Sequence, residues 1–278
     1  MLFKIKEIVD WFLIPLYLIR GRRPWTLGYY SKKKSFIKRA IRNSRNAVGF
    51  KLTSGFGFRL DERVVEYPWM FSELPKDFGM KVLDAGSVLN YDYLLDQTPI
   101  AQSDLTIFTL SPEKRCYFNR GISYVFGDLR KMIFNDNSFD VICSISTLEH
   151  VGLDNSVFHQ ENAISREAAD GGADEVMKEF KRVLRPGGTC LFTVPCGEHS
   201  IHSWYQIYDE DMVFELINGF APASYEVRFF GYKADGWYEC TYQDIKNATF
   251  FDIGKGTTYA PDFAAGARGI ACVSMRAQ

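Results

Sequence analysis

Asp84, Gly86 and Ser87 have the types and spacing of residues that hold a nucleotide-like cofactor. They lie in the segment KVLDAGSVLNYDYLL, residues 81–95, which is typical of a short buried strand, a turn and the start of a helix. Gly86 has no Cβ, so the backbone can turn sharply or approach a ligand closely at this point. A dinucleotide-binding fingerprint contains more glycines, and the motif is therefore weak when it is taken alone.

Polar residues also follow the later apolar runs. Gly127 permits close approach of a ligand, and the carboxylate of Asp128 can accept a hydrogen bond from an exocyclic amine. His150 lies in STLEHVG, and His199 and His202 lie in VPCGEHSIH. Ligands bind at the carboxyl ends of the strands in an open parallel sheet, so we expect these side chains to face one crevice.

The elements that must position these residues are alternating strands and helices. The predicted strands are 81–85, 105–110, 124–126, 141–145, 189–195 and 269–275. The predicted helices include 175–184, which the sequence Pro-Gly-Gly ends, and 209–218. Residues 66–77, which contain two prolines, are predicted to lead into the first strand. This alternation predicts an α/β fold with a doubly wound, mostly parallel sheet and helices on both faces.

Four motifs occur in a fixed order along the chain: VLDAGS, LSPE, FGDLRKMIFNDNSFDVICSISTLEHVG and MKEFKRVLRPGGTCLFTVP. In this order they resemble the class I S-adenosylmethionine-dependent methyltransferases, specifically the type 11 branch that acts on small molecules. The resemblance covers about residues 78–198, and NDNSFDVICSISTLEHV and FKRVLRPGG are its most specific parts. We therefore expect a seven-stranded Rossmann-like sheet within a domain spanning 46–278, preceded by a helical arm at 1–45.

The resemblance also implies the cofactor contacts. The residues implied to bind S-adenosylmethionine are Asp84, Gly86, Ser87, Thr109, Leu110, Asp128, Leu129 and Ser144. In this scheme Asp84, Gly86 and Ser144 lie near the methionine moiety. The loop after the second strand meets the ribose and adenine, and Asp128 with Leu129 holds the adenine.

Two positions depart from the family pattern. The turn after Gly86 has Val88 and Asn90 where glycines are usual, and an asparagine tolerates a left-handed backbone. Thr109 occupies the position of the acid that would bind both ribose hydroxyls, and a threonine cannot make a charged bidentate contact. Three alternatives follow: a neighbour such as Glu113 substitutes for the acid, cofactor affinity is weaker, or the fold has lost catalysis.

Methyl transfer from a sulfonium is an in-line displacement, so positioning the acceptor can supply most of the acceleration. A hydroxyl acceptor benefits from a general base, and we predict His150, His199 or His202 as that catalytic residue. The alternative for His150 is that, with Glu149, it fixes the loop after the fourth strand or forms the floor of the cofactor pocket. Glu198 with His199 and His202 could hold a metal, but no fourth ligand is evident, and we predict no metal.

Aromatic residues near these histidines predict an acceptor site. Trp204, Tyr205 and Tyr208 could stack on a sugar or aromatic acceptor, and Trp237 could complete the pocket, although all four could also be ordinary core residues. We expect acceptor-side insertions at about 153–174 and 198–265. The first is either a mobile cover over the site or an uninvolved surface loop.

Residues 1–45 differ in charge from the rest of the chain. They contain twelve basic and two acidic residues, whereas the remainder contains 21 basic and 32 acidic residues. Their apolar run VDWFLIPLYLI is too short to span a bilayer, and acidic residues nearby argue against a signal peptide. The segment predicts either an interfacial anchor on an anionic membrane or a helical arm that packs on the protein's own core or on a partner subunit. No nucleic-acid partner is expected.

The composition, 46% hydrophobic and 24% charged, is that of an ordinary globular protein. The six cysteines include no C-x-x-C pair, which favours a reducing compartment and a cytoplasmic location, with peripheral contact at the inner face of the membrane as an open alternative. The function we expect is O-methylation of a small or membrane-proximal acceptor, such as a sugar hydroxyl of a glycan. The alternatives are a lipid or quinone-like acceptor, or a noncatalytic binding or scaffold protein.

Overall fold

The computed structural model describes residues 2–46, 49–113, 115–155, 172–252 and 258–278. Within them the α-helices are α1 (Leu2–Ile19), α2 (Tyr29–Asn46), α3 (Arg63–Glu73), α4 (Asp92–Leu95), α5 (Ala173–Val183), α6 (Glu210–Phe220) and α7 (Tyr242–Ile245). The strands are β1 (Lys81–Ala85), β2 (Asp104–Thr109), β3 (Ser123–Phe126), β4 (Phe139–Ile145), β5 (Leu184–Pro195), β6 (Ser200–Ile201), β7 (Gln206–Ile207), β8 (Ser224–Lys233), β9 (Gly236–Cys240) and β10 (Gly269–Arg276).

Eight of these strands form one sheet in the order β3-β2-β1-β4-β5-β10-β8-β9, and β6 pairs only with β7. Strands β1 to β5 are parallel to one another, and β10 runs antiparallel between β5 and β8. This is the doubly wound, mostly parallel sheet that the sequence predicts. The predicted number of seven strands was wrong, because β8 and β9 form a hairpin that adds an eighth strand at the edge.

The central strands are apolar on both sides because each face of the sheet carries its own core. Along β1, Lys81 is exposed and the next four residues are buried. Val82 packs into one core, whereas Leu83 and Ala85 pack into the other. Successive side chains of a strand point to opposite faces, so β1 contributes to both layers.

Helices α5 and α6 pack together over one face of the sheet. The buried stripe of α5 consists of Val176, Met177, Phe180 and Val183 together with Ala173, at helical spacing. Helix α6 begins with a cap, because the side chain of Asp209 accepts a hydrogen bond from the backbone N–H of Met212 (2.9 Å).

Helices α2 and α3 pack together over the other face. The prediction for residues 66–77 was wrong in part: α3 is helical from Arg63 to Glu73 and contains Pro68 within it. Ile37 and Ile41 of α2 are fully buried in the same core as Val82.

The segment 1–45 thus contributes side chains to the main core. The hydroxyl of Tyr29 donates to Asp61 (2.9 Å), and Lys33 forms an ion pair with the same carboxylate (2.6 Å). Tyr17 of α1 is also buried, but Phe12 and Ile19 are 60% and 82% exposed. No helix among the described residues is long and apolar enough to cross a membrane.

Candidate active site

The turn after β1 is built around the carboxylate of Asp84. Its two oxygens accept hydrogen bonds from the backbone N–H groups of Val88 (2.9 Å) and Leu89 (2.8 Å). The side chain is fully buried. Burial raises the pKa of Asp84 to about 7, against the opposing effect of the two hydrogen bonds. Asp84 therefore shapes the turn from within, and its contact with a cofactor stays a prediction.

Gly86 and Ser87 give this turn its positive φ angles, +115° and +60°. A Cβ at Gly86 would collide with the side chain of Thr147, which follows β4. The N–H of Gly86 donates to the carbonyl of Phe108 near the end of β2 (2.9 Å). Asn90 does not have a positive φ, and within this turn it is Ser87 that takes the left-handed conformation.

The side chain of Asn90 joins this turn to the segment after β2. Its amide nitrogen donates to the carboxylate of Glu113 (3.0 Å), and its oxygen accepts from the hydroxyl of Tyr124 (2.9 Å). Thr109 and Leu110, at the end of β2, are half-buried. The structure therefore brings an acid to the edge of the turn, although not from the position at which the family carries it.

Asp128 follows β3 on the same edge of the sheet. The N–H of Gly127 donates to the carbonyl of Thr109 (3.0 Å), which fixes the end of β3 beside the end of β2. The carboxylate of Asp128 pairs with the guanidinium of Arg130 (2.7 Å). Burial acts to raise the pKa of Asp128, but the hydrogen bonds and charge of Arg130 outweigh it and the pKa lies below its usual value. Leu129 is buried in the core that contains α5.

Two buried hydroxyls, those of Ser87 and Ser144, have no hydrogen-bond partner within the described part of the protein. An unsatisfied buried polar group costs about 1–3 kcal/mol, which a ligand with polar groups can offset. Together with the close approach of Thr147 to Gly86, they suit a polar cofactor that lies across the ends of β1 to β4.

Residues 85–192 match the family model described as "Methyltransferase domain". The matched segment begins at the end of β1, runs through the turns after β2, β3 and β4, and ends within β5. This segment is a methyltransferase domain. S-adenosylmethionine is its cofactor, and the contact of the turns described above with that cofactor stays a prediction.

Solved structures with a similar fold include three methyltransferases. An S-adenosylmethionine-dependent methyltransferase from Methanosarcina mazei is 12% identical with a TM-score of 0.45, and the match covers 76% of this chain and 98% of that one. Phosphoethanolamine N-methyltransferase 2 from Haemonchus contortus, in complex with S-adenosyl-L-methionine, is 14% identical with a TM-score of 0.46 over 88% and 60% of the chains. An S-adenosylmethionine-dependent methyltransferase from Thermotoga maritima is 10% identical with a TM-score of 0.48 over 96% and 100%.

At these identities and TM-scores, the similarity transfers neither a substrate nor a partner to this methyltransferase. No curated protein matches the sequence. The acceptor must therefore be inferred from the chain's own residues.

His150 lies in a short helical turn after β4, against the hairpin formed by β6 and β7. Its Nδ1 lies 2.7 Å from the carbonyl oxygen of Trp204, and the two rings stack at 5.4 Å. Because a carbonyl can only accept, Nδ1 carries the hydrogen and Nε2 is the basic nitrogen. Burial lowers the pKa of His150 to about 4, so the ring is neutral at neutral pH and is a weak base.

The other two predicted histidines lie in the hairpin itself. His199 is exposed, and its Nδ1 donates to the carbonyl of Ile207 (2.9 Å). The ring of His202 stacks on Tyr205 (4.4 Å), and its Nε2 lies 3.2 Å from the hydroxyl of Ser200. Their catalytic role stays a prediction. Among the described residues, no group of three or more His, Cys, Asp or Glu side chains is arranged to hold a metal ion.

The predicted aromatic residues separate into two places. Trp204 and Tyr205 contact each other and Phe250 beside His150, and the hydroxyl of Tyr208 donates to the carbonyl of Leu148 (3.1 Å). Trp237 lies apart from them: it is only 3% exposed and its indole N–H donates to the carbonyl of Leu60 (3.0 Å). This placement in the core does not favour the predicted acceptor contact of Trp237. Tyr205 and Tyr208 are also buried, so Trp204 is the only one of these four residues with a partly exposed side chain.

Sequence reasoning missed the contribution of α3. Glu66 is fully buried, and one of its oxygens accepts from the hydroxyls of Ser146 and Thr193 (2.6 Å each) at the ends of β4 and β5. Its other oxygen accepts from the guanidinium of Arg63 (2.6 Å). The available signal was an arginine and a glutamate three residues apart within an otherwise apolar segment. The predicted cover at 153–174 falls mainly on residues 156–171, which lie outside the described residues.

Proposed function

We propose that this methyltransferase transfers the methyl group of S-adenosylmethionine to a hydroxyl oxygen of a small or membrane-proximal acceptor, with a sugar hydroxyl of a glycan as the first candidate. The observation that carries the proposal is the stack of His150 on Trp204, whose side chain is partly exposed. The buried ring of Tyr205 packs against the same indole (4.5 Å) and supports it from the core. Aromatic faces bind the apolar faces of sugar rings, while the loop after β4 supplies polar groups for a hydroxyl.

The cofactor edge supports the donor half of this reaction. Ser87 and Ser144 offer unpaired hydroxyls, and Asp128 offers a carboxylate of lowered pKa that stays ionised at neutral pH and can accept a hydrogen bond from an amine. Glu113, held by Asn90, is proposed to take the ribose contact in place of the missing acid at Thr109. When bound, the cofactor supplies an electrophilic methyl group, and the protein's task is to hold the acceptor in line with it.

The proposal is tested with S-adenosylmethionine labelled in its methyl group. The purified protein is incubated with nucleotide-activated sugars, polyprenyl-phosphate-linked sugars, phospholipids and quinol analogues as separate acceptors. We expect label in a sugar product, with the methyl group on oxygen by NMR. Label that enters only amines, or only a quinol, would contradict the sugar hydroxyl as acceptor.

The second candidate, a lipid or quinone-like acceptor, is favoured by the exposed apolar side of α1. Phe12, Leu16 and Ile19 are exposed there, and the basic residues Arg20, Arg22 and Arg23 follow directly. Apolar side chains that enter the interface, beside cations that pair with anionic lipids, are the two requirements of a peripheral anchor.

Sedimentation with anionic and neutral vesicles tests this anchor. Ile19→Ser is expected to weaken binding to anionic vesicles severalfold, whereas the matched control Ile133→Ser, at a similarly exposed isoleucine outside α1, is expected to leave it unchanged. If both variants and the native protein bind anionic vesicles equally well, the exposed side of α1 is not a membrane anchor.

A noncatalytic scaffold is the remaining alternative. It predicts no measurable binding of S-adenosylhomocysteine, even at millimolar ligand, by calorimetric titration. Binding in the micromolar range is the result that we expect of an enzyme.

A further inference from the structure

Four charged residues lie near one another where α3 begins and the loop after β4 passes it: Glu62, Arg63, Glu66 and Glu149. Arg63 is the only cation among these four. Arg63 donates to Glu66 at 2.6 Å, and this ion pair is completed by the hydroxyls that reach the other carboxylate oxygen. The guanidinium also lies close enough to Glu62 and Glu149 for their charges to raise its pKa. The positive charge of this cluster is therefore matched by Glu66 before any ligand binds.

Glu149 differs from the other carboxyl groups of the cluster. The residue is 3% exposed, and its Oε2 atom has no hydrogen-bond partner among the described residues. Its Oε1 atom lies 3.7 Å from Nε2 of His150, which is too long for a hydrogen bond. A buried carboxyl oxygen without a partner is costly, and such groups are retained where a ligand satisfies them.

Glu149 also lies beside the elements that form the cofactor turn. Thr147, two residues earlier, fills the space above Gly86. On the opposite side, Tyr67 of α3 donates its hydroxyl to the carbonyl of Val88 in the same turn (2.7 Å). Both segments that carry the cluster thus also contact the cofactor turn.

We propose that Glu149 is a catalytic residue, whose Oε2 atom accepts the hydrogen bond of the acceptor hydroxyl and takes its proton during methyl transfer. The proposal rests on the proposed function, and it defines the acceptor as a neutral hydroxyl. An anionic group is disfavoured at this position, because Arg63 is already paired with Glu66 and the negative charges of Glu62 and Glu66 also act on Glu149.

In the proposed methyl transfer, the acceptor oxygen donates a lone pair to the methyl carbon. The bond between this carbon and sulfur breaks, and its electron pair remains on sulfur. The hydroxyl proton passes to the carboxylate of Glu149 and leaves to solvent after the products dissociate. Burial raises the pKa of Glu149 well above its usual value, with Arg63 opposing the shift, so the ionised carboxylate is a strong base.

The protonation of Glu149 depends on the charged and titratable groups that face it from each packed element. From α3 and its N-cap these are Arg63, Glu62 and Glu66; from its own loop, His150; and from the segment after β7, Tyr208. The sulfonium charge of S-adenosylmethionine would add a cation, which favours the carboxylate. S-adenosylhomocysteine carries no such charge.

This difference gives a test that needs no acceptor. Binding of S-adenosylmethionine and of S-adenosylhomocysteine is measured calorimetrically at about pH 6, in two buffers with different ionisation enthalpies, to count the protons exchanged. In the native protein we expect S-adenosylmethionine to release more protons than S-adenosylhomocysteine, because the sulfonium favours the ionised form of Glu149. Equal release for both ligands in the native protein would overturn the proposal without any variant.

Two variants locate the proton. Glu149→Gln is expected to abolish the excess release and keep S-adenosylhomocysteine affinity within about threefold. Glu62→Gln is the matched control: burial raises the pKa of this carboxyl to about 7, but Glu62 accepts from the N–H of Ala267 and is expected to keep the release. Excess release that persists in Glu149→Gln and disappears in Glu62→Gln would overturn the proposal.

Failure of the proposed function gives a separate result. If neither ligand binds the native protein, the cofactor assignment fails, and the proposed role of Glu149 in methyl transfer fails with it. If both bind and the proton count does not differ, the methyltransferase assignment stands and only the role of Glu149 fails. Once a hydroxyl acceptor is known, Glu149→Gln should lower kcat by about a hundredfold or more, and His150→Gln by less than tenfold.

Discussion

The donor side and the acceptor side of the sheet edge differ in how their carboxyl groups are paired. On the donor side, which comprises the turns after β1, β2 and β3, the carboxylates of Asp84, Glu113 and Asp128 all accept hydrogen bonds from neighbouring protein groups. On the acceptor side, which comprises α3, the loop after β4 and the β6–β7 hairpin, Glu149 keeps a buried oxygen without a partner. The donor side has a fixed backbone, and the acceptor side retains a reactive group.

This difference follows from what each side must do. A cofactor that is the same in every turnover is best held by a turn whose shape is set before binding, and the bonds of Asp84 set it. A group that exchanges a proton must instead remain unsatisfied by the protein, because each internal hydrogen bond would stabilise one protonation state. The arrangement at Glu149 meets that requirement.

Gly86→Ala should distort the turn after β1 and cause the largest loss of cofactor affinity. The added Cβ meets Thr147, and alanine is strained at a φ of +115°. We expect the affinity for S-adenosylhomocysteine to fall by about a hundredfold, which corresponds to roughly 3 kcal/mol, as measured by calorimetric titration.

Gly121→Ala is the matched control for the strain alone. Gly121 also has a positive φ, +73°, but nothing lies within 4 Å of a Cβ added there. This variant is expected to lose some stability and to keep its cofactor affinity within about threefold. Equal losses of affinity in the two variants would show that the contact with Thr147 is not what shapes the turn.

Glu66→Gln should destabilise the protein more than the other substitutions, because Glu66 anchors α3 to the ends of β4 and β5 on the acceptor side. The amide group cannot pair with Arg63, which leaves a buried guanidinium without its anion. We expect the free energy of unfolding in urea to fall by about 3–5 kcal/mol. Glu73→Gln, on the same helix but with no carboxylate ion pair among the described residues, should cost less than about 1 kcal/mol. A similar small cost at Glu66 would contradict the buried ion pair as a support of this side.

The sequence predicts the donor side better than the acceptor side. The strand at 81–85 was predicted with the bounds that the structure gives it, because an apolar run ending in Asp-Ala-Gly is a local pattern. The mostly parallel sheet and the final strand were predicted from the alternation of strands and helices, but the antiparallel direction of that strand was not. The extra strand β9 was not predicted, because a hairpin at the sheet edge depends on the two-residue turn before Gly236.

The acceptor side depends on contacts between residues that are far apart in the chain. Glu66 binds Thr193, and His150 binds the carbonyl of Trp204. Such pairs leave no periodic pattern in the sequence. The helix α3 was therefore not predicted, and Glu149 was interpreted as a residue that fixes the loop or forms the floor of the cofactor pocket. The positions of the three histidines after strands were predictable, but the hydrogen bonds of His150 and His199 to backbone carbonyls were not.

Thr109→Asp tests how the ribose is held on the donor side, because it places an acid where the family carries one. If the ribose lacks its charged partner, the new carboxylate should raise the affinity for S-adenosylhomocysteine by about tenfold, because a charge-assisted pair replaces a neutral hydrogen bond. Glu113→Gln tests the substitute: glutamine can still accept from Asn90, so the turn stays in place while the charge is lost. We expect a three- to tenfold loss. Calorimetric affinities unchanged in both variants would show that neither position meets the ribose.

The smallest expected effects are opposite dependences of stability on pH. The folded pKa of Asp84 is about 7, raised from 3.8, so the folded state keeps a proton that the unfolded chain loses and the free energy of unfolding falls as pH rises through 7. The folded pKa of His150 is about 4, lowered from 6.5, so its contribution is present above 6.5 and is lost as pH falls towards 4. The two pH windows overlap, so the two contributions largely cancel in the native protein. Between about pH 4 and pH 7, the free energy of unfolding in urea should therefore rise with pH in Asp84→Asn and fall with pH in His150→Gln, each relative to the native protein. If the slope of stability against pH changed in the same direction in both variants, the pKa values of Asp84 and His150 would not be shifted in opposite directions by burial.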